Sequence, residues 1–199
     1  MSDHEVDIRL VGFAGFAVSE RFLSVIDDEI SVARWGHSRP RVERRTDLRT
    51  AAEIAKELES PCEVTVVSAH AGPWRDPEYF FGSGRNSPLL RFSSIGRIGA
   101  TSMVIIDACW AEKIFARLRS RASQGTLLVG LEGETRETEG RDSVAVLSNV
   151  IRELCYPTTV RLDPEAALNA VKRVNAQVAA RNELRNRTRL QPSLTWVEC

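Results

Sequence analysis

Two residues in this sequence have the chemistry of a nucleophilic pair. A cysteine attacks as its thiolate, and a neighbouring imidazole favours that form and then protonates the leaving group. His70 follows the run Val66-Val67-Ser68-Ala69, and Cys109 follows Ile105-Ile106-Asp107-Ala108. Each stands at the end of a stretch that reads as a buried strand. Cys109 also precedes a helical segment beginning near Ala111, whose positive end favours a thiolate. Side chains alternate along a strand, so Asp107 projects to the same side as Cys109, and Ser68 to the same side as His70. A carboxylate so placed can pair with a substrate arginine or lysine, arginine giving the bidentate match. Its other use is to cap the following helix. Trp74 opens an aromatic loop that can wall a cleft, or simply pack onto the sheet.

Positioning such a pair requires two strands to lie side by side, and the pattern along the chain supplies the means. Apolar runs predict strands over Ile8–Phe16, Cys62–Ala69, Thr101–Ala108 and Gly125–Leu131. RPRVERRT predicts a short exposed strand, and PSLTWVEC a last edge strand. Between them lie amphipathic segments. One carries Phe22, Leu23, Val25, Ile26 and Ile30, and another Ile114, Phe115 and Leu118. Thr46 or Asp47 is the expected cap of the helix ending before Pro61. Asp163 is the expected cap of a long helix with Pro164 at its first position and Val171, Val174 and Val178 as its buried stripe. The stretch AGPWRDPEYFFGSGRNSP, dense in glycine, proline and aspartate, reads as a long loop. Strands alternating with helices predict an α/β fold, a three-layer sandwich with a mainly parallel sheet. Chemistry in such sheets collects beyond the carboxyl ends of the strands.

Composition narrows the function classes. The 199 residues are 43% hydrophobic and 27% charged, the balance of one globular domain spanning residues 1–199. Basic and acidic residues cancel, which gives no global argument for a nucleic-acid or membrane partner. The basic residues Arg181, Arg185, Arg187 and Arg189 read as a solvated helix end, and the charged stretch Glu132–Asp142 as a surface loop. The amino-terminal MSDHEVDIRL lacks an apolar signal core, and no stretch has the length to span a bilayer. The expected setting is therefore cytoplasmic, with Cys62, Cys109, Cys155 and Cys199 reduced. No Cys-x-x-Cys spacing occurs and the three histidines are dispersed, so neither metal nor organic cofactor is expected. VGFAGF lacks the full dinucleotide fingerprint.

The segments VVSAHAG and VIIDACWA resemble the two signature blocks of caspase-like cysteine peptidases, closest to the metacaspase and CHAT-type branches. In that family an apolar strand leads to His-Gly, and a second leads to Asp-x-Cys. RASQGTLLVGLEG and the SVAVLSNVIREL segment are similar to the family's next strand and helix, so the resemblance runs from Ile8 to Tyr156. It implies a caspase-like fold with the two strands adjacent in a parallel sheet. It implies that Cys109 is the nucleophile and His70 the general base and acid, with backbone N–H groups near Ala71 and Cys109 holding the oxyanion. It also implies that Asp107 selects a basic residue, so that a protein or peptide is cleaved after Arg or Lys. An activating partner protein or a homodimer follows from the small size of the chain, and a role in bacterial defence or regulated cell death from the resemblance. The sequence departs from the family pattern at Ala71 and Ala111, where glycine is usual, and at Trp110, which is bulky. These departures motivate the alternative of a catalytically inactive interaction module. The other alternative is an unrelated α/β hydrolase or nucleotide-binding domain.

Overall fold

A computed structural model of the chain describes residues 6–14, 16–32, 40–73, 79–82, 90–132, 140–155, 164–184 and 193–199. The strands form where apolar and β-branched residues run together. They are β1 (Asp7–Phe13), β2 (Arg41–Leu48), β3 (Cys62–Ser68), β4 (His70–Pro73), β5 (Tyr79–Gly82), β6 (Leu90–Arg91), β7 (Ala100–Asp107), β8 (Leu127–Leu131) and β9 (Leu194–Glu198). The helices are α1 (Ala17–Val32), α2 (Ala51–Glu59), α3 (Ala111–Leu118), α4 (Gly140–Cys155) and α5 (Pro164–Leu184).

Six strands make one sheet in the order β2-β1-β3-β7-β8-β9. All its pairings are parallel except that of β8 with β9. Met103 to Ile106 of β7 are fully buried, as expected of a strand covered on both faces. Two apolar clusters account for this cover. On one face Leu10, Val66, Met103, Ile105 and Val129 meet α1, α4 and α5 through Phe22, Ile26, Leu147, Val150, Val171 and Val174. On the other, Val11, Val67, Val104, Ile106 and Leu128 meet α2 and α3 through Ile54, Leu58, Ile114, Phe115 and Leu118. The architecture is therefore α/β in three layers, as the alternation of strands and helices predicts. The edges also follow the pattern: β2 is largely exposed, and β9 closes the opposite side.

Three boundaries differ from the sequence expectation. The first strand stops at Phe13. Thr46 and Asp47 are strand residues, because β2 pairs with β1 out to Leu48. The cap of α2 is Thr50, whose hydroxyl accepts from the Glu53 N–H while the Glu53 carboxylate accepts from the Thr50 N–H. The stretch after His70 is more than a loop: β4, β5 and β6 form a separate three-stranded antiparallel sheet in which His70 pairs with Gly82 and Ala71 with Phe81. Asp163 lies outside the described residues, while Pro164 is the first residue of α5 as expected.

Candidate active site

The centre of the sheet sets the geometry. β3 and β7 are hydrogen-bonded neighbours, in parallel register from Val64 opposite Met103 to Ser68 opposite Asp107. The Ala69 N–H donates to the Asp107 carbonyl at 3.0 Å, carrying the pairing one step further. His70 and Cys109 each lie two residues past the last registered pair, at the carboxyl ends of strands about 4.8 Å apart. The chain changes direction across the sheet one strand away, between β1 and β3, since β2 lies on one side of β1 and β3 on the other. Such a switch point opens a crevice beyond the strand ends.

His70 is exposed at the start of β4. Its ring lies 4.2 Å, centroid to centroid, from that of Phe16, tilted by 35°. Phe16 is buried and follows β1, so the residue after one central strand braces the imidazole after the next. Cys109 is half-buried, in the turn that joins β7 to α3. Neither group is sealed in the core.

That turn is tight. Ala108 and Ala111 are buried against the sheet, leaving Cys109 and Trp110 as the partly exposed residues between them. Ala111 can pack this closely because β8 has glycine at position 130. A Cβ there would stand 2.4 Å from the Ala111 Cβ and 2.9 Å from the Ile106 carbonyl oxygen. The reversal is completed by Trp110 at φ 62° and ψ 38°. It is the one non-glycine residue with positive φ among those described. The left-handed region costs a side-chain-bearing residue about 1–2 kcal/mol. The Lys113 ammonium lies 4.2 Å from the centroid of the Trp110 indole, a contact worth about 0.5–1 kcal/mol at a solvent-reached site.

Asp107 and Ser68 are brought opposite one another by the register of β3 with β7, and they touch. The Ser68 hydroxyl donates to Asp107 Oδ2 at 2.6 Å. Ser68 is fully buried, so it does not line the cleft, contrary to expectation, and its hydroxyl is engaged by Asp107. Its carbonyl accepts from the buried Ser19 hydroxyl at 3.0 Å, which ties α1 to the end of β3. Gly12 makes room for this bond, since a Cβ there would lie 2.8 Å from Ser19 Oγ. Burial pushes the Asp107 carboxyl up to about 6, and the Ser68 hydrogen bond opposes the shift only in part. No ion pair joins Asp107 to a cation among the described residues. Nor does its side chain cap α3, whose N-cap, Trp110, makes no side-chain cap bond.

The remaining expected residues are placed less fully. Ala71 is half-buried in β4, paired with Phe81. Trp74 lies outside the described residues, as do 133–139 of the charged stretch and Arg185, Arg187 and Arg189. Among the described residues no group of three or more His, Cys, Asp and Glu is arranged to hold a metal ion, and no helix is long and apolar enough to cross a membrane. A cavity of about 400 Å³ between α5 and β9, walled by Glu132, Asn175, Val178 and Trp196, lies apart from these groups. Sequence reasoning did not single out Phe16 or the Trp110 backbone. The first had no signal beyond its position after a strand. The second had one, a bulky residue where the chain must reverse within three positions. No protein-family model matches this chain, and no curated protein matches it.

Proposed function

We propose that this protein is a cysteine hydrolase whose working pair is His70 and Cys109. More specifically, we read it as a caspase-like endopeptidase that cleaves a protein partner after arginine or lysine. The observation that carries the reading is the neighbouring parallel pair β3–β7, which ends in an imidazole on one strand and a thiol on the other. The signature blocks VVSAHAG and VIIDACWA imply that adjacency.

In this mechanism the Cys109 sulfur attacks the scissile carbonyl carbon. His70 takes the thiol proton and returns it to the leaving amine, and water then hydrolyses the acyl-enzyme with His70 again as base. The N–H groups near Ala71 and Cys109 hold the negative oxygen of the tetrahedral intermediate. Asp107 supports the choice of a basic substrate residue. It is a largely desolvated carboxylate with a hydroxyl partner and no ion-paired cation among the described residues, so an incoming guanidinium supplies the missing counter-charge. The chemistry calls for no metal or organic cofactor. An activating partner or a second copy, a cytoplasmic setting and a role in bacterial defence or regulated cell death belong to the same proposal.

An arginine-based peptide electrophile tests it. Wild-type protein should be modified at Cys109, and Cys109→Ala should resist and lose all cleavage of arginyl and lysyl peptides. The second reading, an inactive interaction module on the same fold, is favoured by the bulk of Trp110 beside the thiol. It predicts no Cys109 labelling under any activating condition.

A further inference from the structure

We infer that Trp110 is a positioning residue for Cys109, acting through its left-handed backbone rather than through its ring. The inference deepens the peptidase reading and rests on it. Three constraints fix the turn. β7 keeps its pairing with β3 through Asp107. Ala108 and Ala111 are both held in the core, the second against Gly130. The Trp110 carbonyl already accepts the N–H of Lys113 at 2.9 Å and of Ile114 at 3.2 Å, so α3 starts at once. The chain leaves the strand and enters the helix within three residues, and the left-handed position of that turn falls on Trp110. Residues held in such conformations persist only when their surroundings over-determine them, and they concentrate at functional sites. With Ala108 held in the core, Cys109 is the residue directly before that position, so its direction is set by the Trp110 backbone. The Lys113 ammonium over the indole is comparable in size to the conformational cost and helps hold the turn.

The test separates backbone from ring. Glycine and asparagine accept the left-handed region, alanine pays the same Cβ cost as the tryptophan it replaces, and β-branched valine pays more. Trp110→Gly, Trp110→Asn, Trp110→Ala and Trp110→Val are made in the full chain. Cys109 modification is followed by mass spectrometry of its peptide, with iodoacetamide and with an arginyl chloromethyl ketone, alongside the Tm of each variant. The Ala variant should react within about twofold of wild type, the Gly and Asn variants about threefold faster than Ala and the Val variant about tenfold slower, following the cost of the turn. A merely structural role lowers Tm and speeds alkylation by baring the thiol, so that result overturns the inference. Four variants that behave alike also overturn it, because the ring or nothing would then matter. If the Val variant does not fold, Gly against Ala decides. If wild-type Cys109 resists the arginyl reagent, the peptidase reading fails while the iodoacetamide series still judges Trp110. If it reacts and the series is flat, only the positioning role falls.

Discussion

Two acidic side chains show how local surroundings divide structural from functional charge. Glu43 stands beside Arg9, whose hydrogen bonds and charge hold its carboxyl below the usual range. Asp107 has a hydroxyl instead, and burial raises it from 3.8 to about 6. The sign follows from linkage. Folding favours the protonated form of Asp107, so its penalty is absent below its unfolded value and complete above about 6. A shift of this size corresponds to roughly 2–3 kcal/mol. Asp107→Asn should therefore stabilise the protein at pH 7.5 by about that amount and by nearly nothing at pH 4, read from urea unfolding at the two pH values. The same substitution should cut kcat/KM for arginyl peptides at least about tenfold, since a charge-assisted pair is lost. In the wild type, kcat/KM should rise with pH through about 6 as the carboxylate ionises, and a flat profile there would remove Asp107 from substrate binding. The sequence places Asp107 at the end of an apolar run, where the structure ends β7. It did not foretell the Ser68 contact, because that depends on the register of two strands 39 positions apart.

The elements that carry the site were legible to differing degrees, and for physical reasons. β3, β7 and β8 are continuous β-branched and aliphatic runs, which fits their burial on both faces. β4 and β5 fall in a stretch that reads as loop because glycine, proline and aspartate weaken local strand preference, and their pairing comes from tertiary contact. The cap of α2 was placed too early for the same reason, since Thr46 and Asp47 suit a cap but are drawn into the β1–β2 ladder. The junction of β7 with α3 gives the sharpest test at this scale. A methyl group at position 130 meets Ala111 and a backbone carbonyl, neither of which can swing aside. Gly130→Ala should cost about 1–3 kcal/mol, seen as a lower urea midpoint. It should also slow Cys109 modification in the folded protein, because α3 is pushed off the sheet directly behind the thiol. Unchanged modification would mean that the turn is set independently of β8.

At the scale of the whole molecule, structural charge and proposed chemistry occupy opposite ends of one sheet. Arg9, buried near the amino end of β1, donates to Glu43 at 2.8 Å and to the carbonyls of Ser60 at 2.8 Å and Glu57 at 3.2 Å, and pairs with the Glu57 carboxylate at 3.5 Å. One guanidinium thus joins β1 and β2 to the chain leaving α2 and fixes the start of β3. Asp107 is the last residue of β7, and His70 and Cys109 lie past the carboxyl ends of β3 and β7, where backbone groups released from the ladder can face solvent. This separation makes a prediction that a diffuse site would not. Removing Arg9 leaves the carbonyls of Ser60 and Glu57 without this donor and leaves Glu43 and Glu57 with Arg45 as their cation, so Arg9→Ala should cost about 2 kcal/mol, seen as a lower urea midpoint. Below the unfolding transition, however, Cys109 should react with the arginyl electrophile at the wild-type rate, because the register of β3 with β7 is held by apolar contacts on both faces. A loss of reactivity in step with stability would mean that strand positions are communicated along the length of β3. The two ends of the sheet would then have to be treated as one cooperative unit.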